Sequence, residues 1–143
     1  MKTKQMKTIG RLVDMKRRAS DAAEMAHSAA HARTLAAEQA RILADRTWLA
    51  ALDAADHIGM VSDLEDRDAQ IRGLRRAVDQ AELRHVIARS EEAAAREAMT
   101  EARVELRRFE RWLEKAVAEG QAEQRQRERV AEDEVAARKL RAG

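Results

Sequence analysis

The sequence predicts an all-α fold: two long helices in an antiparallel coiled-coil hairpin, the second helix longer and overhanging at the C-terminus. Three observations predict it. Proline is absent, aromatic residues are 2% of the chain and charged residues are 38%, a bias typical of long helices and coiled coils. From Ile71 to Ala116 two lanes repeat every seventh residue: Ile71, Val78, His85, Glu92, Met99, Leu106, Leu113, and Leu74, Ala81, Ala88, Ala95, Ala102, Phe109, Ala116. These are the a and d positions of a heptad pattern, and only His85 and Glu92 break its apolar rule. Third, the segment HIGMVSDLE carries turn signals near the middle of the chain.

The first helix is expected over about 3–57. Its apolar positions include Ile9, Leu12, Val13, Ala22, Ala29, Leu35, Ile42, Leu43, Leu49 and Leu52, spaced mostly by three and four, which reads as one amphipathic stripe. The turn is expected over about 58–62. Gly59 suits the left-handed residue that closes a helix, and Ser62 with Glu65 has capping-box spacing. The second helix follows over about 63–139, within a single unit spanning 1–143. A short turn makes the helices antiparallel neighbours. With the turn near residue 60, facing residues should have numbers summing to about 120. Leu49 then faces Ile71, Leu35 faces His85, Leu12 faces Phe109 and Ile9 faces Leu113. The stretch from Gly120 onward has no such partner; it is highly charged and is expected to order on another molecule.

A narrow seam of this kind can be covered by another helix but encloses no pocket. The chain has one Phe, two Trp and no Tyr, too few bulky residues for an enclosed active site. No P-loop, GxSxG or CxxC pattern occurs, so no catalytic residue and no cofactor is assigned. With no cysteine there is no disulfide framework. The basic start lacks the apolar core of a secretory signal, and no apolar run approaches the length of a membrane span. These features read as cytoplasmic.

His27 and His31 share one helix face, and Glu92 is expected opposite them. That group reads as a polar layer that fixes register or as a solvated edge; helix-borne zinc ligation is a third reading of the spacing, and no metal site is assigned. Trp48 and Trp112 are expected to flank the seam, Trp112 shielding the segment near Ile9.

Charge is uneven. Seven Lys and Arg residues face Asp14 alone within residues 1–18, although the whole chain is only +2. The antiparallel pairing brings Lys4, Lys7, Arg11, Arg17 and Arg18 beside Arg107, Arg108 and Arg111, and the tail adds Arg125, Arg127 and Arg129. These are the candidate partner-binding residues. An acidic protein surface, an anionic membrane surface or nucleic acid could meet them.

The opening RLVDMKRRASDAAE, the segment AREAMTEARVELRRFERWLEK and the tail RQRERVAEDEVAARKL together resemble the FliJ/YscO family, especially its HrpO-like members. These are the coiled-coil stalk proteins of type III secretion and flagellar export systems. The resemblance implies a non-enzymatic protein peripheral to an inner-membrane secretion complex. Its implied partners are the hexameric export ATPase, the export-gate membrane protein and export chaperones, with no small-molecule substrate. The alternative is a generic coiled-coil scaffold or adaptor that dimerises, its seam closed between chains; a helical protein binding membrane surface or nucleic acid is a further one.

Overall fold

A computed structural model describes residues 2–55 and 61–143, with side chains from 3–55 and 64–143. Helix α1 spans Lys2–Ala55 and helix α2 spans Val61–Ala142. They pack against each other as an antiparallel hairpin with a longer second helix. Gly59 and the centre of the expected turn lie outside the described residues. α2 is helical from Val61, so the backbone of Ser62 already lies within it. Lys139 and Arg141 occupy its last turn, where cations offset the negative end of the helix dipole.

The chain divides into two compact units. One comprises Met1–Asp21 with Thr100–Gly143, the other Ala22–Met99. In each, the lanes expected on α2 are the covered ones. Every residue from Ile71 and Leu74 to Leu113 and Ala116 in those lanes is buried or half-buried. Val78 is fully buried, and Ala81 and Ala88 are buried.

The face of α1 departs from expectation. Leu35, Ile42, Leu43 and Leu49 are exposed, at 47%, 37%, 65% and 51%. The covered positions of α1 form a heptad of their own. Its lanes run through Met6, Ile9, Val13, Lys16 and Ser20 in the first unit and Ala23, His27, Ala30, Thr34, Ala37, Arg41, Ala44, Trp48, Ala51 and Ala55 in the second; beside them Gly10, Leu12, Glu38, Asp45 and Leu52 are half-buried, so Ile9, Leu12, Val13 and Leu52 are covered as expected. One lane is thus polar for four heptads: Ser20, His27, Thr34, Arg41. The other is almost all alanine. Small residues let the two backbones approach, and an intruding leucine would hold them apart.

The approach is closest to view at Thr34. Its Oγ1 lies 3.1 Å from the carbonyl oxygen of Ala30 and 3.2 Å from that of Ala88 on α2. A side chain as short as threonine reaches the opposing backbone only because Ala30 and Ala88 are both buried beside it, at 1% and 8% exposure. The single hydroxyl proton is shared between two carbonyls already used within their helices.

The pairing level also differs slightly. Contacting residues sum to 121 for Lys16 and Glu105, 122 for Thr34 and Ala88, and 123 for His31 and Glu92. Helical side chains lean towards their own N-terminus, by about one position. In an antiparallel pair both leans raise the sum, which accounts for most of the excess over 120.

α2 runs on as helix beyond the last contact with α1, to Ala142 rather than Lys139, and residues 124–143 are exposed. The tail is helical and exposed. Its Ala, Gln, Glu and Arg residues are good helix formers, and Gln124 Nε2 donates to Glu128 Oε1 one turn later at 3.5 Å. Among the described residues, no helix is long and apolar enough to cross a membrane.

Candidate interaction surface

All eleven basic residues singled out in the sequence are exposed, and all fall in the unit built from Met1–Asp21 and Thr100–Gly143. Antiparallel pairing brings the first five beside Arg107, Arg108 and Arg111. Arg125, Arg127 and Arg129 lie on the tail of α2, most of it past the end of α1.

Two of these cations have carboxylate neighbours on their own helix. Arg17 lies 3.7 Å from Asp14, and Arg108 lies 3.9 Å from Glu105. Such exposed pairs contribute little, typically under about 1 kcal/mol, and leave the guanidinium groups open to a partner.

Lys16, absent from the sequence-based group, is held between the helices. Its Nζ lies 2.6 Å from Glu105 Oε2 and 5.3 Å from the ring centroid of Phe109. The Lys16 ammonium, hydrogen-bonded to Glu105, holds that carboxyl below its ordinary value. Lys16 occupies a seam position, so its apolar stem covers the seam while its charge reaches the edge. The seven-residue spacing from Ile9 through Lys16 to Ala23 is the signal that could have placed it there.

Phe109 in turn carries Trp112, ring centroids 5.7 Å apart and planes tilted by 54°. Trp112 is 50% exposed. With Ile9, Thr8 and Lys4 of α1 it lines an open groove of about 370 Å³. Trp112 does lie over the Ile9 segment, as expected, but half of its surface faces outward. A second groove of about 510 Å³ follows where Met6 meets Gly120, lined also by Val117, Gln124 and Arg127.

In the other unit, His31 Nδ1 and Glu92 Oε1 form a 2.6 Å hydrogen-bonded pair. This is the polar layer expected between the helices. The His31 hydrogen bond, then the nearby Thr34 hydroxyl, holds the Glu92 carboxyl below its ordinary value, with a smaller contribution from the charge of His27. His27 occupies the seam, and His85 lies one heptad before Glu92 on the same lane, half-buried. Among the described residues, no three His, Asp or Glu side chains converge as a metal site would require.

A depressed carboxylate has a defined linkage to folding. Glu92 adds stability above the ordinary carboxylate pKa of about 4.3, and that contribution disappears as pH falls through its lower folded value. Glu105 acts in the same direction. Thermal melts from pH 7 down to pH 2 should therefore show Tm falling below about pH 4.3. Glu92→Gln should flatten part of that acid slope; an unchanged slope would detach Glu92 from the acid response.

Trp48 does not merely flank the seam; it occupies it. The Arg75 guanidinium stacks 4.8 Å from its ring centroid. Trp48 Nε1 and Arg41 Nε are both covered without a hydrogen-bond partner.

Set against protein-family models, curated proteins and solved structures, the chain matches none.

Proposed function

We propose that this protein is a non-enzymatic stalk or adaptor of a type III secretion or flagellar export apparatus. In this reading its basic unit enters the ring of the hexameric export ATPase and links the ring to the export gate and to chaperones, on the cytoplasmic side of the inner membrane. One observation carries most of the weight: eleven exposed cations, contributed by both helices, belong to one compact unit. Such a surface steers towards acidic partners and binds through many individually weak, salt-sensitive contacts. The helical hairpin with a longer second helix suits insertion into a ring, because the second helix extends beyond the first.

The test mixes the purified full chain with the export ATPase. Hydrolysis should accelerate and rings should assemble at lower ATPase concentration. Arg11→Glu combined with Arg108→Glu should weaken the complex at least tenfold at low salt, with a smaller difference at high salt. If no complex forms and neither rate nor assembly responds, the stalk reading fails.

The scaffold reading retains one specific support. Leu35, Ile42 and Leu49 make an exposed aliphatic row at seven-residue spacing in the second unit, as an intermolecular coiled-coil contact would need. It no longer needs the a/d seam of α2, which α1 covers. A concentration-dependent mass in light scattering, lost on replacing Ile42 by Glu, would favour it.

A further inference from the structure

The groove beneath Trp112 is bordered by cations on both of its edges. Lys4 lines it, and Arg11 and Arg18 repeat Lys4 at seven-residue intervals along the same edge of α1. On α2, Arg108 and Lys115 stand four residues before and three after Trp112, the spacings at which helical neighbours meet. All five are exposed. Its lining is mixed: Ile9, Ala116 and Trp112 are apolar, Gln5 and Thr8 polar, and the exposed Met15 continues the Thr8 edge beyond it. Ile9 is buried at its base, and Met15, seven residues after the groove-lining Thr8, is 61% exposed. Trp112 stands half-exposed over it, propped by Phe109. Glu105 is already engaged by Lys16 and Arg108, and Glu119 is the one carboxylate that lines the groove.

We infer that this groove is a docking site for an acidic amphipathic helix of a partner protein. Its apolar row would lie on Trp112, Met15 and Ile9, and its carboxylates would meet the two basic edges. Lys4 to Arg18 covers roughly 21 Å at 1.5 Å per residue, the length of about four helical turns. A partly exposed indole beside a flexible methionine is the anchor chemistry that helix-in-groove recognition uses. The charge around it selects the occupant: the cations on both edges repel a basic helix and attract an acidic one. This surface does not depend on the export-apparatus reading, since a helix can bind here whether or not an ATPase responds.

The test uses the full chain with Trp48→Phe, so that Trp112 alone reports by fluorescence. The probes are a four-turn peptide with a leucine row flanked by glutamates, and a twin with lysines in their place. The glutamate peptide should shift Trp112 emission to the blue and bind at least tenfold more tightly than its twin. Trp112→Ala, followed by anisotropy of a labelled peptide, should weaken binding at least tenfold. Arg11→Glu with Arg108→Glu should abolish the preference for the acidic peptide. Both arginines are exposed, so the double variant should keep the parent circular-dichroism melt and tests the site even if Trp112→Ala does not fold. Equal binding of both peptides would overturn the inference, as would binding that ignores Trp112. So would a blue shift produced by phosphatidylglycerol vesicles but not by the glutamate peptide, which would make a membrane the occupant. A blue shift that follows protein concentration alone would assign the groove to a second copy and overturn it equally.

Discussion

Ala30→Leu is expected to destabilise the hairpin by about 3 kcal/mol, at the upper end of overpacking costs. Ala30 is 1% exposed, and Thr34 of α1 reaches across to the Ala88 carbonyl of α2 at 3.2 Å. Isobutyl cannot replace methyl there without pushing the helices apart. That separation would also break the Thr34 contact and loosen the His31–Glu92 pair beside it. Tm should fall by roughly 10 °C for a chain of this size, read by circular dichroism. The same change at Ala29, one residue earlier and exposed, should stay within about 0.5 kcal/mol. If Ala30→Leu matched Ala29→Leu, the close approach of the helices would be wrong.

Val78→Ala should cost about 2 kcal/mol, from two buried methyl groups at about 0.8 kcal/mol each plus a small cavity. Val78 is the one fully buried large side chain among the described residues. Its neighbours in the lanes of α2 are Leu74, Ala81 and His85, and alanine offers little bulk to collapse into the space. Val130, 46% exposed on the tail, provides the contrast: Val130→Ala should be nearly neutral. Urea unfolding of the two variants would compare them directly. Equal midpoints would mean that the seam around Val78 does not hold the fold.

The two changes probe different kinds of packing. At Ala30 stability comes from smallness, which lets the backbones approach. At Val78 it comes from bulk, which fills the seam towards the α1 C-terminus. Elsewhere along the α1 seam, polar residues are tolerated where a partner is within reach. Thr34 uses carbonyls, Lys16 uses Glu105, and beside His27 the exposed His31 takes Glu92. Arg41 and Trp48 do not fully do so.

The lanes of α2 were readable from the chain itself. Apolar or small residues recur at both heptad positions from Ile71 to Ala116, and no other face of that helix competes with them. The helical class, the antiparallel arrangement and the longer second helix follow from the same period together with the absence of proline. The eleven exposed cations were readable too, since Lys and Arg outside an apolar period remain in water. The face of α1 was not. Its exposed row, Leu35, Ile42 and Leu49, has the same seven-residue period as its true seam and is more apolar, so hydrophobicity alone selects the wrong side. Only the tertiary structure decides between them. α2 presents bulky residues at Val78, Met99, Leu106 and Phe109, which require small or locally satisfied residues opposite. Whether Ser20, His27 and Thr34 can be covered depends on acceptors and packing supplied from another part of the chain. The groove under Trp112 belongs to the same class of feature, because its two basic edges come from helices about a hundred residues apart in sequence and become one surface only when the hairpin closes.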